Sequence, residues 1–149
     1  MIAIGSDHGG YELKEVIKSY LDSEKIPYKD LGTYSVESVD YSDIGVLVAK
    51  AVTSGECHLG IIICGTGIGI SIAANKVPGI RAALCTDSYM ARMAKEHNNA
   101  NVLALGGRVL GAGLALEIVK TFIDTPFSQE NRHQNRIDKI KTIEEQYRG

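Results

Sequence analysis

Short apolar segments alternate with helical hydrophobic periodicity along the whole chain. Apolar runs occupy residues 1–5, 59–64, 80–85 and 101–105, and a more polar run follows Pro27. Between them, apolar residues recur every three or four positions, as on one face of an amphipathic helix. Because strands that alternate with helices pair in parallel, this order predicts an α/β fold. We expect a three-layer α-β-α sandwich with a five-stranded parallel sheet, Rossmann-like or flavodoxin-like.

Size and composition indicate one domain of ordinary size. The chain has 149 residues, of which 44% are hydrophobic, so we expect residues 1–149 to form a single domain with a full core. A net charge of −2 gives no indication of a nucleic-acid or membrane-surface partner. No apolar run approaches the roughly 20 residues of a membrane span. Three cysteines match neither a zinc site nor a redox pair, so we expect a reduced, cytoplasmic protein.

The most informative local pattern is Cys-Gly-Thr-Gly-Ile-Gly at residues 64–69, between the third apolar run and a helix. Alternate glycines let backbone N–H groups approach a ligand closely, and a helix N-terminus adds unpaired donors. Cys64 adds a thiol that can act as a general base. The pattern departs from the dinucleotide fingerprint at Ile70 and lacks the lysine of a Walker loop. A ligand-free turn and an inert, buried thiol remain alternative interpretations.

Polar residues also follow the other predicted strands. Ligands of parallel sheets bind beyond the carboxyl ends of the strands. Asp7 and His8 follow the first strand, Asp87 follows the fourth, and Arg108 follows the fifth. In a 2-1-3-4-5 strand order, Asp7 and His8 would lie beside Cys64.

Two further groups are typical of sugar-phosphate binding. His97 is followed by three asparagines in the next four positions, which suits sugar hydroxyls, and it can shuttle a proton near neutral pH. Arg132 and Arg136 are four residues apart on a predicted helix of about 131–147 and are candidates for a phosphate clamp. Such a helix can reach a neighbour's site, which makes a shared dimeric site plausible. The alternatives are a packed histidine and a solvated basic patch.

Together and in this order, these segments resemble the type B ribose-5-phosphate isomerases from residue 1 to about 140. The matching segments are 6–11, 64–69, 71–76, 97–101, 106–109 and the Arg132/Arg136 pair. The wider family includes allose-6-phosphate isomerases and the two subunits of galactose-6-phosphate isomerase. The resemblance implies interconversion of D-ribose 5-phosphate and D-ribulose 5-phosphate through an enediolate, a step of the pentose phosphate pathway. It also implies a homodimer or tetramer with shared active sites and no metal or cofactor.

The resemblance also implies roles for individual residues. Cys64 resembles the base that moves a proton between C2 and C1, His97 the acid/base that opens the furanose ring, and Asp7 a group that binds or polarises the sugar. The hole for the enediolate oxygens is implied for Thr66 and for the amides of Gly65, Gly67, Ile68 and Gly69. The implied binding residues are Tyr41 at the pocket wall, Asn98 at a hydroxyl, and, for the phosphate, His8, Arg108, Arg132 and Arg136.

Three other functions compete with this interpretation. The first is isomerisation of another sugar, such as allose 6-phosphate or a free sugar, which loop 33–41 would help to decide. The second is a nucleotide- or flavin-binding module, against which the missing fingerprint and the absence of tryptophan argue. The third is a non-catalytic sugar-phosphate-binding protein, which would need neither Cys64 nor His97.

Overall fold

The computed structural model describes residues 1–148 and confirms the α/β sandwich. All strands run parallel in one sheet. The strands are β1 (Ile2–Ser6), β2 (Tyr28–Asp30), β3 (Leu59–Cys64), β4 (Ala82–Leu84) and β5 (Val102–Gly106). The helices are α1 (Tyr11–Ser23), α2 (Tyr41–Thr53), α3 (Ile68–Asn75), α4 (Ser88–Glu96), α5 (Ala112–Asp124) and α6 (Asn131–Gln146), with a 3₁₀ turn at His8–Gly10 before α1.

Two apolar cores lie on opposite faces of the sheet, because successive side chains of a strand point in opposite directions. On β3, Ile61 and Ile63 pack against α1, α4 and α5. Ile62 and Cys64 face α2 and α3 instead. The thiol of Cys64 therefore sits where β3 ends, under the helix that the glycine turn begins.

The strand order is β2-β1-β3-β5-β4, so the 2-1-3-4-5 order is wrong at one side of the sheet. β5 is buried throughout and pairs with β3 from Gly60↔Val102 to Cys64↔Gly106. β4 has three half-buried residues and takes the edge. A short, half-buried strand suits an edge, because the backbone N–H and C=O groups along one side of an edge strand have no partner strand. The neighbour of Cys64 is therefore the end of β5 and not the end of β4.

Two local predictions also differ in detail. Residue type predicts Ser42 or Asp43 as the N-cap of α2, but the helix begins at Tyr41 with Asp40 at that position. The apolar pattern predicts a buried stripe of Met90, Met93 and Ala94 on α4, but the helix buries Ala91, Ala94 and Lys95 and leaves Met90 40% exposed. Small alanine side chains allow α4 to pack closely, which the pattern of large apolar residues did not reveal.

Within residues 1–148, none of the helices has both the length and the apolar composition that a bilayer crossing requires.

Candidate active site

The carboxyl ends of the three central strands touch through glycines. A Cβ atom on Gly9 would lie 3.0 Å from the Gly65 nitrogen, and one on Gly107 would lie 2.6 Å from the Gly9 carbonyl oxygen. Side chains other than hydrogen would force these loops apart. The structure thus brings together the segments that follow β1, β3 and β5, as predicted from the glycine-rich strand ends.

Cys64 is the last residue of β3 and lies beneath the glycine turn. It is 4% exposed, and its Sγ accepts a hydrogen bond from the Gly67 N–H at 3.2 Å. Gly67 has φ of +80°, which favours glycine, and a Cβ there would meet Leu84 Cδ1 at 2.6 Å. An N–H donated to sulfur stabilises negative charge on it. The turn therefore directs one of its amides at the thiol and not all of them at a ligand.

The remaining donors of the turn belong to the start of α3. The Ile68 N–H bonds to Thr66 Oγ1 at 3.2 Å, which fixes the Thr66 side chain. Gly69 follows in the first turn of α3, where amides have no carbonyl partner inside the helix. Of the predicted oxyanion-hole amides, those of Gly67 and Ile68 are engaged within the turn. The amide of Gly69 lies in the first turn of α3, so its role in an oxyanion hole stays a prediction.

Tyr41 and Arg108 flank the turn on two sides. A Cβ on Gly69 would lie 2.7 Å from the Tyr41 ring, so the ring covers that glycine closely. A Cβ on Gly65 would lie 3.4 Å from the Arg108 guanidinium. The Tyr41 ring and the Arg108 guanidinium thus border the turn that holds the thiol. This arrangement suits an anionic ligand with an apolar face.

Next to the turn is a cavity of about 280 Å³ between His8 and Arg108. Val36, from the loop before α2, forms part of its wall. Asp7 lies beside it but is largely occupied, since its Oδ1 accepts from the N–H groups of Gly9 at 2.8 Å and Gly10 at 3.2 Å. Asp7 therefore caps the 3₁₀ turn that presents His8, and its second oxygen is the atom available to a ligand.

The other predicted site residues form a separate cluster at the amino edge of the sheet. His97 is the C-cap of α4, and its ring lies 4.2 Å from the ring of His133, centroid to centroid. His133 is 2% exposed and pairs through Nδ1 with Ser128 Oγ at 2.7 Å. Burial lowers the pKa of His133, and the charges of His97 and Arg132 lower it further. The buried imidazole is therefore neutral at physiological pH.

Cys64 and His97 do not meet within one chain. α4 leaves the carboxyl edge after β4 and ends just before β5, so His97 precedes Val102, while Cys64 pairs with Gly106 at the far end of β5. Five strand residues at about 3.3 Å each separate the two edges by roughly 16 Å. Asn98 lies beside His97. Arg132 and Arg136 are exposed at the start of α6, at the same edge.

The other two thiols serve packing. All three cysteines are free and buried. Burial raises the pKa of the Cys57 thiol, and burial followed by the charge of Asp87 raises the pKa of Cys85 to about 11. Asp87 itself caps α4 by accepting from the Met90 N–H at 2.8 Å, so it has a structural partner away from Cys64.

Two buried polar residues were not predicted from the sequence. The first is His133, whose spacing of four residues from Ile137 is the signal that would have placed it on the buried face of α6. Lys14 falls within the apolar stripe of α1 between Leu13 and Ile17, and a lysine in such a stripe indicates a buried partner. In residues 1–148, no group of three or more histidine, cysteine or acidic side chains is arranged to hold a metal ion.

Comparisons with known proteins show which family the chain is similar to. The family model described as Ribose/Galactose Isomerase matches residues 2–140. A solved ribose-5-phosphate isomerase B of Clostridium thermocellum is 60% identical, with 99% of each chain covered and a TM-score of 0.97. Ribose-5-phosphate isomerase B of Escherichia coli is 46% identical over 97% of this chain and 96% of its own. A Mycoplasma genitalium ribose-5-phosphate isomerase B, solved with bound ribulose-5-phosphate, is 41% identical over 97% of this chain and 95% of its own, with a TM-score of 0.91. The chain therefore belongs to the ribose/galactose isomerase family.

Proposed function

We propose that this protein interconverts D-ribose 5-phosphate and D-ribulose 5-phosphate by proton transfer through an enediolate. The observation that carries the proposal is the close approach of Gly65, next to Cys64, to Gly9 and Arg108, two residues that line the cavity beside His8. A base, backbone donors and a cationic phosphate pocket then lie side by side. The relative with bound ribulose-5-phosphate supports the same substrate class.

In the proposed reaction, Cys64 takes the proton from C2 of the open-chain aldose and returns it to C1, while the hydroxyl proton passes from O2 to O1. Charge develops on the oxygens at C1 and C2, where Thr66 and the amide of Gly69 stabilise it. Removing one such donor typically costs about 100- to 1000-fold in rate. The phosphate, held by His8 and Arg108, anchors the sugar so that C2 meets the sulfur. Base, donors and phosphate ligands all belong to the chain, so the proposal invokes neither a metal nor a cofactor.

We infer that the site is completed by a second copy of the chain. We assign ring opening to His97 and part of the phosphate binding to Arg132 and Arg136. Within one chain these residues lie at the amino edge of the sheet, roughly 16 Å from Cys64 at the carboxyl edge. A twofold axis perpendicular to the strands turns the carboxyl edge of one copy toward the amino edge of the other, whereas an axis along the strands pairs like edges. We therefore propose a homodimer of the first kind, with α6 contributing to the partner's phosphate site.

The surface available for this contact supports the proposal. β4 is an edge strand, and beside it a groove of about 720 Å³ opens toward α6, with Ile140 and Ile143 on its wall. Ile68 and Ile72 of α3 are also more than half exposed. A second copy would bury these apolar side chains. We further propose that the chain acts as one isomerase domain. Its free thiols support a reducing compartment such as the cytoplasm.

The direct test is a comparison of substrates with the purified protein. Ribose 5-phosphate, allose 6-phosphate and galactose 6-phosphate are supplied separately, and formation of the ketose is followed for each. We expect the highest kcat/KM for ribose 5-phosphate. A higher value for either hexose phosphate would assign the chain to a hexose-phosphate branch of its family, and no turnover of any of the three would reject the isomerase proposal.

A further inference from the structure

Lys14 carries a fully buried charge that the proposed reaction does not use. Its side chain is 0% exposed, and its Nζ donates to Asp30 Oδ1 at 2.6 Å and to the Thr33 carbonyl oxygen at 2.5 Å. The Tyr34 ring centroid lies 5.2 Å from the same Nζ. Burying an ammonium group is costly unless its hydrogen bonds are satisfied. All these partners lie at the end of β2 or in the loop that follows it.

Asp30 is the centre of this anchor. Besides Lys14, its carboxylate accepts from Lys18 Nζ at 2.8 Å and from the Gly32 N–H at 2.9 Å. Burial alone would raise the pKa of Asp30, but the hydrogen bonds from Lys14 and Lys18 outweigh it and lower the pKa. The carboxylate is therefore ionised at neutral pH and holds the start of the loop.

The anchored loop contacts the active-site segment at two places. Gly32 and Thr33 exchange hydrogen bonds with the backbone of Ser6, both at 2.7 Å, directly before Asp7. Farther along, the Val39 N–H donates to His8 Nδ1 at 3.2 Å. The loop thus fixes the backbone that leads to His8 and also one nitrogen of its ring.

We propose that Lys14 is a positioning residue for phosphate recognition and acts on His8 through loop 31–39. A backbone N–H can only donate, so Nδ1 must be the acceptor nitrogen, and a neutral His8 then carries its proton on Nε2. That Nε2–H is the donor that His8 offers to the phosphate beside Arg108. The inference rests on the proposed function, in which the substrate phosphate occupies the cavity of His8 and Arg108.

The test compares Lys14→Met with Lys18→Met. Both variants remove an ion pair to Asp30, but Lys18 does not reach the loop, so it is the matched control. For Lys14→Met we expect KM for ribose 5-phosphate to rise about 10-fold or more, with kcat within about threefold. The hydrogen bond from His8 to the charged phosphate would be weakened equally in the ground state and the transition state, which raises KM and leaves kcat nearly unchanged. For Lys18→Met, both constants should stay within about twofold, because Lys18 bonds Asp30 but makes no hydrogen bond to the loop.

A second measurement does not depend on the substrate. Long-range ¹H–¹⁵N NMR of the histidine rings, assigned with a His8→Gln variant, reports the His8 tautomer. We expect the form protonated at Nε2 in the wild type and in Lys18→Met, and a mixture of tautomers in Lys14→Met. A folded Lys14→Met protein with the wild-type tautomer and an unchanged KM would overturn the inference.

Val39→Pro tests the inference if Lys14→Met does not fold, because it removes the N–H that faces His8 and leaves Lys14 and Asp30 unchanged. It should give the same rise in KM and the same mixed tautomers, and an unchanged tautomer would reject the inference. If the wild type does not isomerise ribose 5-phosphate, the proposed function fails, while the NMR comparison still tests the link from Lys14 to His8.

Discussion

The two edges of the sheet differ in how much of a site each can build alone. At the carboxyl edge, close contacts between glycines bring the segments of Cys64, His8 and Arg108 together. At the amino edge, the His97 ring lies against a buried His133, but Arg132 and Arg136 remain exposed on α6. Interactions within one chain thus hold the base and its donors, whereas two of the cations proposed for the phosphate lie on a surface that a second copy can reach.

The largest expected effect is at the carboxyl edge. Cys64→Ala should lower kcat for ribose 5-phosphate by about 1000-fold, within the range of a lost general base, with KM nearly unchanged. Cys57→Ala is the matched control, since that thiol is equally buried but lies away from the turn. Steady-state kinetics that place Cys64→Ala within about threefold of the wild type would reject the assignment of the base.

A smaller effect is expected at the amino edge. Arg136→Ala should raise KM for ribose 5-phosphate by about 10- to 100-fold and change kcat less, because a charged hydrogen bond to the phosphate is lost in both the ground and transition states. Lys141→Ala removes an exposed cation from another face of α6 and serves as the control. If both variants kept the wild-type KM, Arg136 would have no part in phosphate binding.

The structure of each edge can be predicted from the sequence only where the interacting residues lie close together along the chain. The glycine turn, the buried strand before it and the Asp7–His8 segment were predicted because the signals lie within a few residues of one another. The exchange of β4 and β5 was not, since it depends on which strand competes better for the buried centre of the sheet. The anchor of Lys14 on Asp30 and Thr33 also escaped prediction, because such hydrogen bonds join segments 16 to 19 residues apart.

The smallest effect concerns stability at the amino edge. The pKa of His133 in the folded protein lies below its ordinary value of about 6.5, so as the pH falls the unfolded chain binds the proton first. The stabilising contribution is therefore complete above about pH 6.5 and declines below it. Thermal unfolding at pH 7.5 and 5.5 should show a drop in Tm that is a few degrees smaller in His133→Asn. An exposed-site control, His58→Asn, should keep the full drop, and equal drops in all three proteins would refute the prediction.

The central claim is that one active site combines Cys64 of one chain with His97 of another. Cys64→Ala and His97→Ala homodimers should each be nearly inactive, but a mixed dimer contains one site with both residues intact. After unfolding, mixing in equal amounts and refolding, we expect about one quarter of wild-type activity, because half the dimers are mixed and each has one working site. If differently tagged chains prove that mixed dimers have formed and no activity returns, the two residues do not share a site across subunits, and the account is wrong.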